Sequence, residues 1–158
     1  MSYPHPDVQA FLAERLVPVR INLEDRSGRE LFRDYQVIWT PTLAFLDRRG
    51  KCQYQALGFL PPQDLLGQLR IGTARCLLAW ARYGQAAQLL EAASQTGHSA
   101  LRAEALFWLG LAYYLPTRKE NDLMRAWNRL RDDFPDSLWA QRVASGSASS
   151  PLGFSEKP

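Results

Sequence analysis

The hydrophobic period changes once along this chain, near Ile71, and that change limits the architecture more than any single motif does. Before it, short apolar stretches of alternating and of helical spacing follow one another. After it, Ala, Leu, Trp and Tyr recur only at three- and four-residue intervals. A chain of 158 residues, 46% apolar and 22% charged, can build a core on both sides of such a boundary but has no room for a large multidomain enzyme. The expected fold class is α/β plus all-α: an α/β region over 1–70, a helical region over 71–143, and a Ser-, Gly- and Pro-rich disordered tail over 144–158.

Within the first region, Val8, Phe11, Leu12 and Leu16 have helical spacing behind Pro6 and Asp7, a favourable start for a short helix. Val17, Val19, Ile21 and Leu23 then alternate with Pro18, Arg20 and Asn22, which predicts a strand with one wet face. Pro18, lacking an N–H, argues for a sheet edge. Ser27 and Glu30 have capping-box spacing before a second helix carrying Leu31, Phe32 and Tyr35. The run Leu43-Ala44-Phe45-Leu46 predicts a central strand buried on both faces, and Asp47-Arg48-Arg49-Gly50 a turn into a hairpin partner, Cys52 to Ala56. Pro61-Pro62 starts a helix with Leu65, Leu66 and Leu69.

In the second region the spacing predicts helices near Thr73–Tyr83, Gln85–Thr96, Ser99–Leu115 and Lys119–Asp133, and a turn or short helix around Ser137–Arg142. Gly84, Gly97 and Pro116 are the expected breaks, and Thr117-x-x-Glu120 a second capping box.

Nineteen Lys and Arg against sixteen Asp and Glu leave a net charge of +3, no footprint for nucleic acid. The longest near-apolar stretch, Ala105 to Leu115, is short for a membrane span, and no export signal stands at the start, so we expect no membrane partner and a cytoplasmic location. His5 and His98 are isolated, which predicts no metal site, and no phosphate-cradling Gly loop or nucleophile elbow calls for a cofactor or a hydrolytic mechanism. Cys52 and Cys76 lack the setting that depresses a thiol pKa and are read as buried apolar residues. Arg48, Arg49 and Lys51, and the group Arg125, Arg129 and Arg131, read as solvated faces.

Val17-Pro18-Val19-Arg20-Ile21-Asn22, Trp39-Thr40-Pro41-Thr42-Leu43, the hairpin ending Gly50-Lys51 and Gly58-Phe59-Leu60-Pro61-Pro62 together resemble the thioredoxin family over about residues 4 to 70. The resemblance implies a cis Thr40-Pro41 bond facing an active-site dithiol, with backbone groups nearby that bind an extended protein substrate. It therefore implies Trp39, Thr40 and Pro41 as substrate-binding residues. The Cys-x-x-Cys that the family carries after its first core strand has no counterpart here, so no catalytic residue is assigned in this chain.

The expected fold is thus an incomplete thioredoxin-like domain lacking its first core strand, which would leave the strand at 43–46 with an apolar edge. That strand would come from residues upstream, the reading we favour; direct pairing of the orphaned strands, or a strand from another chain as in a homodimer, are the alternatives. Leu106-x-x-Leu109-Gly110-x-x-Tyr113 with Trp127 and Pro135 resembles a tetratricopeptide-like unit over about residues 73 to 143. The functional expectation is a relative of the thiol-disulfide oxidoreductases that acts on or binds a protein or peptide client. The alternative is a redox-inactive protein-interaction module.

Overall fold

The computed structural model describes residues 5–146, and most of the tail expected over 144–158 lies outside them. Among the described residues are seven helices and one two-stranded antiparallel sheet: α1 (Pro6–Arg15), α2 (Arg26–Asp34), β1 (Thr42–Leu46), β2 (Cys52–Leu57), α3 (Pro62–Ala79), α4 (Tyr83–Ala93), α5 (Ser99–Thr117), α6 (Glu120–Asp133) and α7 (Leu138–Gly146). The chain is mixed and mostly helical.

Pro6 opens α1 and Asp7 occupies its first turn, and the helix lays Val8 and Phe11 into the core against α3. The strand expected over Val17 to Leu23 does not form. Val17 is 90% and Val19 75% exposed, and among the described residues β1 and β2 pair only with each other. Alternation records which side chains would share a face, but a strand also needs a neighbour to receive its N–H and C=O groups. The segment instead closes an Asx turn in which Glu24 N–H donates to Asn22 Oδ1 at 3.2 Å. The capping box at Ser27 is also absent: Asp25 is the N-cap of α2 and Ser27 lies inside the helix, whose only buried residue is Gly28.

β1 and β2 pair in the register Thr42↔Leu57, Leu43↔Ala56, Ala44↔Gln55 and Phe45↔Tyr54, with a bulge after Phe45. Asp47 builds the connecting turn. Its Oδ1 accepts the N–H of Arg49 at 2.8 Å and of Lys51 at 3.0 Å, and its Oδ2 accepts the Gln53 amide at 2.9 Å. Desolvation opposes ionisation of this carboxyl, but those donors outweigh it and hold the pKa below the ordinary value. Contrary to expectation, β1 is not buried on both faces: of the apolar run only Phe45 is buried, while Leu46 is 42% exposed. A central strand needs cover on two sides, and only the face toward α3 has it.

The two helices expected on either side of Ile71 are one, α3, running from Pro62 to Ala79 without a break. Gly72 allows the close approach of the sheet: a Cβ there would lie 2.4 Å from the Phe45 ring. The reversal comes after Trp80, where Ala81 takes φ 55° and Arg82 N–H donates to Leu77 O at 2.9 Å, a Schellman-type ending. Arg48 and Arg49 are exposed, as expected, but not idle. Their guanidinium groups stack on Trp80, 4.2 and 5.0 Å from its ring centre, and so fasten the hairpin tip to the end of α3.

From α3 onward each helix packs on the next. Ile71, Leu90, Leu106, Leu109, Leu123 and Leu130 form the fully buried spine. Gly97, at φ 81°, marks the α4–α5 corner as expected, but Gly84 lies inside α4 and Pro116 inside the last turn of α5. The second capping box is replaced by a different pairing. Thr117 ends α5, Lys119 is the N-cap of α6, and the Thr117 hydroxyl donates to Asp122 Oδ2 at 2.6 Å rather than engaging Glu120. Arg129 reaches back to Glu91 of α4 in a two-pronged ion pair at 2.9 and 3.0 Å.

Candidate functional site

Trp39, Thr40 and Pro41 occupy the connection between α2 and β1. Their backbone is fixed on both sides: Thr42 Oγ1 donates to Trp39 O at 2.6 Å, and Gly58 N–H donates to Pro41 O at 2.9 Å. The Thr40–Pro41 bond is cis. Trp39 is 70% exposed and Ile38 beside it 85%, so neither fills a core gap.

The bond from Gly58 to Pro41 sets the phase of the ladder. Opposed residues in an antiparallel pair alternate between hydrogen-bonded and non-bonded pairs. Pro41 and Gly58 oppose each other on the bonded phase, so Leu43 and Phe45 direct their backbone groups at β2. The N–H and C=O groups of Thr42 and Ala44 then point the other way, to an edge with no strand beside it among the described residues. Immediately after β2, Gly58 takes φ 91° and turns Phe59 outward, where it is 92% exposed. An open strand edge therefore lies next to exposed Ile38, Trp39, Leu57 and Phe59. Phe59 is not among the substrate-binding residues that the resemblance implies; the sequence signal for its exposure is an aromatic between Gly58 and Pro61 that fits neither helical nor strand spacing.

Sulfur chemistry has no starting point in the described residues. Cys52 and Cys76 are both half-buried free thiols. Burial, aided by Asp47 and Cys52, pushes Cys76 up to about 11, opposite to what a thiolate nucleophile needs. Cys52 points its thiol at Tyr54 O, 3.4 Å away.

His98, at the start of α5, has its Nδ1 3.0 Å from Asp64 of α3, while His5 Nδ1, 3.8 Å from Asp7, is buried without a hydrogen-bond partner among the described residues. No group of three or more His, Cys, Asp and Glu able to hold a metal occurs among the described residues. No described helix is long and apolar enough to cross a membrane. A polar, open depression between the end of α2 and β2 is lined by Asp34, Tyr35, Lys51 and Gln53 among others, and none of Trp39, Thr40 and Pro41 borders it.

No family model, curated protein or solved structure matches this chain.

Proposed function

We propose that this chain is a thioredoxin-like module followed by tetratricopeptide-like helices, and that it binds an extended protein client along β1 at Trp39, Thr40 and Pro41. The observation that carries this reading is the open edge of β1 beside a solvent-exposed indole, the combination that strand addition uses: backbone bonds give affinity and neighbouring side chains give selectivity. The sequential stacking of α3, α4, α5 and α6 supports the helical half of the reading. By its resemblance the module is related to the thiol-disulfide oxidoreductases, with the catalytic dithiol absent from this chain.

The test uses insulin B chain with alkylated cysteines as the client, so that binding is read without exchange. Slowed amide exchange at Thr42 and Ala44 on adding it, with Trp39→Ala weakening the effect by about tenfold, is the expected result. Unchanged exchange at both amides overturns the proposal.

The second reading, a redox-inactive interaction module, is favoured by the unreactive setting of Cys76. Under both readings the chain alone gives no dithiol-dependent insulin reduction. What separates them is the coding frame immediately upstream of the Met1 codon: an apolar strand leading into Cys-x-x-Cys supports the oxidoreductase, and its absence supports the interaction module.

A further inference from the structure

On the helical side, Arg75 and Arg142 lie on the faces of two adjoining tryptophans. The Arg75 guanidinium of α3 lies 3.7 Å from the ring centre of Trp108 on α5, and that of Arg142 on α7 lies 4.5 Å from Trp139. The two indoles meet edge to face with their centres 6.4 Å apart, so both stacked cations flank one aromatic surface. Among the described residues neither guanidinium has a hydrogen-bond acceptor. A cation on a ring face is attracted by the ring quadrupole but keeps its in-plane N–H fork unused.

Glu104, one turn before Trp108, feels the charge of both cations, and its carboxylate accepts from Tyr54. Two cations against one anion leave a positive surplus. The Trp108 Nε1–H, shielded from water, also acts on the Glu104 carboxylate, which is thereby occupied from the tryptophan side.

We propose that this surface, the Trp108–Trp139 pair with Arg75 and Arg142 on it, recognises acidic side chains of a partner protein segment. It is separate from the β1 edge and does not depend on the client reading. Charge complementarity selects the occupant. A guanidinium fork whose plane is fixed by an indole matches the planar, two-oxygen carboxylate, and the indole faces cover the adjoining methylenes.

The experiment titrates the full chain with the acetylated, amidated peptide Asp-Glu-Asp and with its neutral counterpart Asn-Gln-Asn, following the indole N–H resonances of Trp108 and Trp139. The expected result is a saturable shift of both with the acidic peptide only. Arg142→Gln is an exposed substitution whose fold is checked by circular dichroism, and it should weaken the acidic peptide by about tenfold. Three results overturn the proposal: no saturable shift, equal shifts with the neutral peptide, or an unchanged affinity in Arg142→Gln. Trp39→Ala should leave this titration unaltered, which keeps its outcome distinct from that of strand addition at β1.

Discussion

Asp64 holds the α4–α5 corner from another helix. Its Oδ1 accepts the backbone N–H of His98 at 2.8 Å and lies 3.0 Å from His98 Nδ1, so a residue in the first turn of α3 satisfies a donor at the start of α5. His98, the N-cap residue, makes no capping bond with its own side chain. Asp64→Ala should therefore lower unfolding stability by about 1–2 kcal/mol in a urea titration, the usual cost of a lost cap. Ala81 is the opposite case. Its φ of 55° puts a Cβ where glycine is at ease, so Ala81→Gly should stabilise the protein by about 1 kcal/mol. Gly97 announced its corner in the sequence. Ala81 did not, because a good helix former carries no sign that it must end a helix, and 34 residues separate Asp64 from its partner.

Among the elements, the α5–α6 pair is fixed by a glycine against a tryptophan. A Cβ on Gly110 would lie 2.5 Å from the Trp127 ring. That ring has little freedom to yield, since its Nε1–H donates to Phe107 O at 3.1 Å and its face stacks on Phe107 at 5.5 Å. Replacing a helical glycine by alanine ordinarily gains about 1 kcal/mol of helix propensity. Overpacking of about 1–3 kcal/mol outweighs it here, so Gly110→Ala should lower the thermal midpoint. The helices beyond Ile71 were legible because burial against neighbouring helices follows the same period as the sequence. The segment from Val17 to Leu23 was not: its alternation is real, but no second strand of the described residues lies alongside to turn it into a ladder.

For the whole molecule, Tyr54 links the sheet to both α3 and α5 by hydrogen bonds. Its Oη lies 2.7 Å from Gln68 Oε1 and 3.2 Å from Glu104 Oε2, and a single phenolic proton serves one acceptor at a time. Burial pushes the Glu104 carboxyl above its ordinary value, while hydrogen bonds from Tyr54 and Trp108 and the charges of Arg75 and Arg142 draw it back only in part. A folded-state pKa above the unfolded one means that the folded chain holds the proton more tightly. The stability this adds is present below the unfolded value and is lost as pH rises through the folded one.

Glu104→Gln should consequently flatten the loss of stability as pH rises above about 4, the ordinary carboxylate value, and be the more stable form on the alkaline side, as read from urea midpoints across a pH series. An unaltered slope would remove Glu104 from the account. The open edge beside Trp39 was foreseeable from the sequence because the run at 43–46 has one hairpin partner, Cys52 to Ala56, and no other close in the pattern. The Tyr54–Glu104 link was not, because it joins positions 50 residues apart on elements of different period.

Trp80 gives the hairpin a gauge of its own. With Arg48 and Arg49 both resting on its ring, any strand that docks on β1 and tilts the hairpin must slide two cations across an indole at the far end of α3. The emission of that one fluorophore would then register, from the opposite end of the hairpin, an event that never touches it.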